Sequence, residues 1–338
     1  MLADDGRRVG EPLRAAVRAW RDAAVAEGPP RVAHGLSPQG WAAVWQAAFD
    51  TLSDEALDAA WQRAGSPYEE ATMVVARTVL TAPLEWCALW WGVGTQVRLK
   101  VPREAGGLGP WLEEQATRFG LPLQVVTDPE AVQGPLVVAM GRDATIDALA
   151  EALPASTRFV GFGHRFSVSW ARTEAGLRAT AADVAMHDTR GCLSPVAVFS
   201  DHPQAAAILA EAMAEAQARW PRGELVDHEL ALLRQRRALA RVVGSVAEGE
   251  GWAVHTVPVG RFQPVSAPRL AVLHPATHAE LGVALAPYLE HLSSVGTDSD
   301  DPLPGRVVPC GQLQRPVLAR QHDGIDWVAV AVGADRSG

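Results

Sequence analysis

Apolar positions recur every three or four residues over 11–27, again over 41–49, and again behind Ser53-Asp54-Glu55, so the first seventy residues read as amphipathic helices. Ser37-Pro38 supplies an N-cap and a first-turn proline for the second of them, and Ser53 caps the third. From about Met73 the period changes. Short apolar runs predict strands at 73–80, 96–101, 123–126, 136–140 and 158–161, with helices at 83–91, 108–119 and 143–153 between them, the last capped by Asp143. Alternation of this kind implies a parallel sheet flanked by helices, the α/β class, in a layout of the type that binds dinucleotides. Val196-Ala197-Val198-Phe199 reads as a further buried strand. Beyond it, Asp201 caps an alanine-rich helix to Trp220, a helix covers 225–246, and 296–305 (GTDSDDPLPG) forms an acidic surface loop before the strand-like Arg306-Val307-Val308.

Composition narrows the class. With 338 residues, 48% of them hydrophobic, the chain can bury a large core divided into about two domains. A net charge of -9 and no dense Lys/Arg patch argue against a nucleic-acid partner, whose phosphates demand neutralisation. The longest apolar runs, such as 87–93, fall short of the ~20 residues of a membrane span, so none is expected. Three cysteines cannot pair completely and no charged-then-apolar leader opens the sequence, which predicts a reducing, cytoplasmic setting. Most of the twelve tryptophans, including Trp86, Trp90, Trp91 and Trp170, are expected in the core.

The stretch Asp188-Thr189-Arg190-Gly191-Cys192-Leu193-Ser194-Pro195 places one thiol between a flexible turn and a fresh apolar strand. Gly191 allows the backbone close to a substrate, and Ser194-Pro195 ends the turn. Most cytosolic cysteines are small buried hydrophobes, but one presented at a strand mouth is a candidate nucleophile. Its ordinary pKa of ~8.5 requires a neighbour that favours the thiolate, and the sequence identifies none. Cys87, inside Trp86-Cys87-Ala88-Leu89-Trp90, reads as core, and Cys310, between Pro309 and Gly311, has no nucleophile motif.

Phe159-Val160-Gly161-Phe162-Gly163 ends a strand with two glycines, either a close-approach point for pyrophosphate or nicotinamide or a plain tight turn. His164 follows, as a general acid toward an aldehyde oxygen or a hydrogen-bonding partner within the turn, and Arg165 either steers a carrier phosphate or is solvated. His322-Asp323-Gly324 reads as a turn. His274 and His278 are four apart, but Pro275 interrupts and no third ligand is evident, so no metal is expected.

Several segments together resemble one family. They are 157–167 (TRFVGFGHRFS), Asp183-Val184 leading to 188–195 (DTRGCLSP), and Gln314-Arg315-Pro316 with His322-Asp323-Gly324. In order and spacing they resemble the acyl-coenzyme A reductases typified by the fatty-acid reductase of bacterial bioluminescence, within the aldehyde dehydrogenase superfamily. The resemblance covers roughly 74–324. It implies an aldehyde-dehydrogenase-like fold, with a Rossmann-type cofactor-binding domain plus an α/β catalytic domain. The implied segments are a helical 1–72, a nicotinamide-dinucleotide-binding 73–175, a catalytic 176–305 carrying the cysteine, and 306–338 returning to the cofactor domain or an interface.

The resemblance further implies that Cys192 attacks an acyl thioester of coenzyme A or a carrier, and that hydride from NADPH or NADH reduces the acyl-cysteine to an aldehyde, with His164 as a catalytic candidate. Lys100-Val101-Pro102 looks like the Lys-Pro turn that contacts the adenosine ribose in aldehyde dehydrogenases, so Lys100 and Pro102, with Gly161, Phe162 and Gly163, are the cofactor-binding candidates. Lys100 could also reach a 2'-phosphate; on its own it is a lysine ending a strand before a ladder-terminating proline. An acyl-activating or acyl-transferring partner protein and a homo-oligomer are compatible with the family.

The departures carry information. The Glu-Leu-Gly-Gly segment with which hydrolytic aldehyde dehydrogenases activate water is absent, which fits reduction rather than hydrolysis. The superfamily's oxyanion-stabilising asparagine would fall near Thr81-Ala82-Pro83-Leu84-Glu85, yet the chain contains no asparagine, so backbone donors such as the Cys192 amide must serve. The chain also looks short for the family. These departures keep open a weak or non-catalytic subunit of the same fold that binds an acyl carrier or partner. A hydrolase or acyltransferase would need another base, for which His187 is the candidate.

Overall fold

The computed structural model describes residues 3–32, 35–128 and 131–336. Five parallel strands form the first sheet in the order β3-β2-β1-β4-β5: β1 (Glu70–Val74), β2 (Gln96–Lys100), β3 (Leu123–Val126), β4 (Leu136–Met140) and β5 (Arg158–Phe162). β4 is covered on both faces, and Leu136 through Ala139 are fully buried, which is why it reads as an unbroken apolar run. Helices α4 (Ala82–Gly92), α5 (Leu108–Phe119) and α6 (Asp143–Ala152) make the crossovers, while α1 (Ala3–Glu27), α3 (Asp54–Gln62) and α11 (Trp327–Val332) pack around α4. Trp20, Trp61, Trp86, Trp90, Trp91 and Trp327 are each less than 2% exposed and fill this core, Trp20 edge-on to Trp91 and Trp86 against Trp327. The unit comprises Met1–His34, Trp45–His164 and Val317–Gly338.

A second unit comprises Gly35–Val44 and Arg165–Pro316, and α2 (Pro38–Asp50) runs through the division at Val44. Its seven-stranded sheet has the order β12-β11-β6-β7-β10-β9-β8: β6 (Phe166–Trp170), β7 (Pro195–Ser200), β8 (Ser245–Gly249), β9 (Trp252–Thr256), β10 (Leu270–Pro275), β11 (Leu292–Thr297) and β12 (Arg306–Pro309). All pairings are parallel except β8 with β9. Leu177 and Val184 of α7 (Glu174–Met186), with Leu209 and Met213 of α8 (Ala205–Arg219), pack over Val198 and Leu273. The opposite face sets Ala197 and Phe199 against Phe262 and Leu281, the last from α10 (His278–Leu285). α9 (Asp227–Val243) buries only Ala240 among its residues.

Several expectations shift. The first strand is Glu70–Val74 rather than 73–80, because its polar start is satisfied: Glu70 pairs with Arg98 at 3.2 Å, and the Thr72 hydroxyl bonds the Gln133 carbonyl. Asp143 is not the cap of α6; Arg142 holds that position, and the Asp143 carboxylate accepts the His164 amide at 2.6 Å. Asp201 does not cap α8, which starts at Ala205, because Asp201 is held by Arg172 at 2.8 Å. β6 falls inside the stretch 73–175 assigned to the nucleotide domain, but it pairs with β7 and β11 in the second sheet.

Candidate functional site

In the second unit the approach to Cys192 begins with α7. Thr173 caps the helix by accepting the Gly176 amide at 3.0 Å, and the Asp298 carboxylate accepts the Arg172 and Thr173 amides at 2.8 Å. A Cβ at Gly176 would lie 2.0 Å from Asp298 Oδ2, so only glycine fits. After Met186 the chain turns through Asp188 (φ 50°) and Thr189 (φ 59°), both left-handed. The Thr189 amide donates to the Val184 carbonyl and the Asp188 amide to Ala185, the bond pattern of a Schellman ending. Glycine is the usual occupant of this conformation, which is a strained one for a β-branched threonine.

Cys192 then occupies the second position of a β-turn closed by the Ser194 amide donating to the Gly191 carbonyl at 3.0 Å. It lies three residues before the start of β7, at that strand's amino end. The fully buried Ser167 hydroxyl on β6 donates to the Cys192 carbonyl at 2.8 Å. On the far side Gln314 Nε2 donates to Ser194 Oγ at 2.8 Å and to the Asp183 carbonyl at 3.2 Å. The Asp183 carboxyl accepts the Gly311 amide at 2.7 Å, and burial pushes it up to about 7.

Of the three thiols, Cys192 and Cys310 are partly exposed and Cys87 is buried. Burial raises the Cys87 thiol strongly and pushes Cys310 up to about 12, which leaves neither as a nucleophile at neutral pH. His187 forms the C-cap of α7, and burial pushes it down to about 4, so it is too weak a base for the role weighed above. His274 lies in β10 with Nδ1 on the Val257 carbonyl, and His278 opens α10. A cleft of about 470 Å³ lies at the carboxyl ends of β7 and β10, lined by Ser200, His202, Thr256 and Thr277; no residue anticipated for the site lines it.

In the first unit the remaining candidates share the carboxyl edge of one sheet. Lys100 ends β2, half-buried, with its carbonyl accepting the Val75 amide at 3.0 Å, and Pro102 caps a short 3-10 turn over Arg103–Ala105. Lys100 is also the only lysine in the chain. Gly161 and Phe162 end β5 and Gly163 and His164 follow, so β1 and β4 stand between the two groups, a separation of about 14 Å at the usual strand spacing. A Cβ at Gly161 would lie 2.4 Å from Ile146 Cγ2, so the glycine admits α6 close to β5. Phe162 is buried and stacks on His322, with ring centroids 4.4 Å apart, which assigns its side chain to the core. His164 is exposed, and its amide is bound by Asp143. His322-Asp323-Gly324-Ile325 is a tight turn with Asp323 and Gly324 both left-handed. In the stretch where the superfamily asparagine would fall, Glu85 is held by both terminal nitrogens of Arg320, at 3.0 and 2.7 Å.

The order β3-β2-β1-β4-β5 reverses direction between β1 and β4, the switch point at whose carboxyl ends open α/β sheets bind ligands. α6 starts beside it with no side chain capping its first amides. The first amides of α6 and the Lys100 ammonium are the groups at this edge that could meet the phosphates and ribose of a dinucleotide.

Residues 131–296 match the family model described as acyl-CoA reductase (LuxC). No curated protein matches the chain. Among solved structures, aldehyde dehydrogenase 21 from Physcomitrella patens aligns with TM-score 0.69 at 11% identity, over 97% of this chain and 83% of that one. The methylmalonate-semialdehyde dehydrogenase of Oceanimonas doudoroffii gives 0.67 at 12%, over 86% and 72%. The NAD-dependent benzaldehyde dehydrogenase of Corynebacterium glutamicum gives 0.66 at 15%, over 88% and 77%. Among the described residues no helix is long and apolar enough to cross a membrane. The matched stretch contains Cys192, so this part of the chain is similar to the LuxC-type acyl-CoA reductases, and the fold is that of the aldehyde dehydrogenases.

Proposed function

We propose that the protein reduces an acyl thioester, of coenzyme A or a carrier, to an aldehyde through an acyl-cysteine on Cys192. The observation that carries this reading is the Cys192 turn: a partly exposed thiol whose own carbonyl is held by Ser167 and whose neighbour Ser194 is held through its hydroxyl by Gln314. The Cys192 thiolate adds to the thioester carbonyl, the carbon–sulfur bond to the carrier breaks, and the carrier leaves as its thiolate. Sulfur replaces sulfur, so the exchange is nearly balanced. In place of the missing asparagine, backbone amides of the turn are the candidate oxyanion donors. A bound NADPH or NADH supplies the hydride that reduces the acyl-cysteine. Collapse of the resulting thiohemiacetal releases the aldehyde and returns the Cys192 thiolate. Lys100 and Pro102 would hold the adenosine end of the dinucleotide, and the backbone of 161–163 would meet it further along the sheet edge. His164, exposed at that edge, is the candidate that protonates the thiohemiacetal oxyanion and takes the proton back as the thiohemiacetal collapses.

A second reading has one observation in its favour: 81–85 carries no amide side chain, and Glu85 is engaged by Arg320. In that reading the chain is a weakly active or non-catalytic subunit that binds an acyl carrier or an acyl-transferring partner. Acyl-CoAs of several lengths with NADPH or NADH, followed by nicotinamide absorbance and aldehyde trapping against Cys192→Ala, separate the two. Cofactor oxidation that depends on Cys192 supports the reductase, and none with any substrate sinks it.

A further inference from the structure

We propose that Asp188, clamped by Arg269, is a positioning residue for Cys192. The inference rests on the reading of Cys192 as the acyl acceptor. Both side chains are 1% exposed, and Arg269 Nε and Nη2 donate to Asp188 Oδ1 at 2.8 and 2.5 Å. The Arg269 amide reaches the Asp188 carbonyl at 3.3 Å, and its Nη1 is held by the Trp220 carbonyl at 2.8 Å. The other Asp188 oxygen accepts the Gly223 amide at 2.9 Å. Gly223 has no alternative there, since a Cβ would lie 1.8 Å from the Gly35 carbonyl oxygen.

Among the described residues the non-glycine left-handed positions are Asp188, Thr189, Arg269 and Asp323, so two of the four form this clamp and a third, Thr189, adjoins it. Strain at non-glycine residues persists only where the surroundings over-determine it, and it gathers at functional sites. Stability is a poor account of the arrangement, because a buried ion pair roughly breaks even against apolar packing while the left-handed residues each cost something. What the clamp delivers is direction. It ends α7 on a fixed heading, and Arg190 is then secured to Glu229 at 2.8 Å and to the Gly35 and Glu224 carbonyls at 2.7 Å, two residues before the thiol.

The test compares two reactions of the same thiol. Attack on an ester carbonyl needs an aligned trajectory and oxyanion donors, whereas alkylation by iodoacetamide needs only an accessible thiolate. With p-nitrophenyl hexanoate, Cys192 Sγ forms the carbon–sulfur bond as the carbon–oxygen bond breaks and p-nitrophenolate leaves, so a burst reports acylation without coenzyme A or nicotinamide. Asp188→Asn and Arg269→Met should slow the burst roughly tenfold, the scale of lost alignment and donors, while Cys192 alkylation stays within about twofold; Arg269→Lys should recover part of the burst. Because unpairing a buried charge can unfold the chain, Thr189→Gly is the companion variant: it removes strain and no charge, and it should melt no lower than wild type yet show the same slow burst. Burst and alkylation falling together, an unchanged burst in these folded variants, or no burst from wild type overturns the inference. A wild-type burst with no acylation by acyl-CoA removes the reductase reading instead and leaves the clamp standing.

Discussion

Ser167 Oγ donates to the Cys192 carbonyl at 2.8 Å from a site with no solvent exposure. Ser167→Ala leaves that carbonyl without its donor. A lost hydrogen bond of this kind is worth about 1 kcal/mol, so an unfolding free energy in urea lower by that amount and a several-fold slower Cys192 acylation are expected. An acylation rate equal to wild type would show that the turn holds its direction without this bond.

Gln314 serves two acceptors, Ser194 Oγ and the Asp183 carbonyl, while itself buried. Gln314→Leu keeps the volume and removes both donors, which should cost about 1–3 kcal/mol in chemical denaturation. Gln314→Glu should cost at least as much, because a carboxylate brings no donor to either partner.

Gly161 separates packing from ligand binding. With Ile146 2.4 Å from its missing Cβ, Gly161→Ala overpacks the contact of β5 with α6 at about 1–3 kcal/mol. Adding Ile146→Ala should recover most of that in a double-mutant cycle read by thermal melts. A Gly161→Ala variant that keeps full stability but loses NADPH affinity would instead mark the glycine as a ligand contact.

Stability should respond to pH with opposing signs from buried groups. Burial pushes Asp183 up to about 7, so the folded chain holds a proton that the unfolded chain releases near 4; that contribution fades as pH rises from about 4 to about 7. Burial pushes His187 and His255 down to about 4, so the unfolded chain takes protons below 6.5 that the folded chain refuses; their contribution fades as pH falls from 6.5 to about 4. Two histidines outweigh one aspartate, and wild type should lose stability on acidification across that window. Asp183→Asn should lose it more steeply. Equal slopes in urea titrations from pH 4 to 8 would contradict the assignment of Asp183.

Lys100 is the chain's single lysine, which turns a cofactor question into a footprint. Reductive methylation followed by mass spectrometry should label its ammonium group, and NADPH should slow that labelling more than NADH does. Lys100→Met should weaken NADPH binding by about 1 kcal/mol or more, the scale of a charge-assisted hydrogen bond. Labelling indifferent to either dinucleotide would remove Lys100 from the cofactor site.

Local signals were legible in the sequence and distant ones were not. The helix Leu108–Phe119 and the strands Leu123–Val126 and Leu136–Met140 fall where periodicity predicts them, since their boundaries are set by neighbours in sequence. β6 carries a strand's alternation in Phe166, Val168 and Trp170 with Ser167 and Ser169; what that pattern does not show is that both serines are fully buried. The turn around Cys192 could be read from Gly191 and Pro195. Its supports could not, because Ser167 is 25 residues away, Arg269 is 81 from Asp188, and Gln314 is 120 from Ser194. Gly161 and Phe162 carry an ambiguity of another kind: a glycine at a strand end serves a close neighbour as readily as a ligand, and here Ile146 is that neighbour.

The supports of the thiol arrive late in synthesis. A ribosome that has just released Cys192 has yet to make Glu229, Arg269 and Gln314, so the nascent chain carries the cysteine without the frame that aims it. Contacts of such sequence separation close slowly, after local helices and turns have formed. The frame of the Cys192 turn is therefore among the last features of its unit to mature, and truncated products ending before residue 314 carry the thiol without that frame.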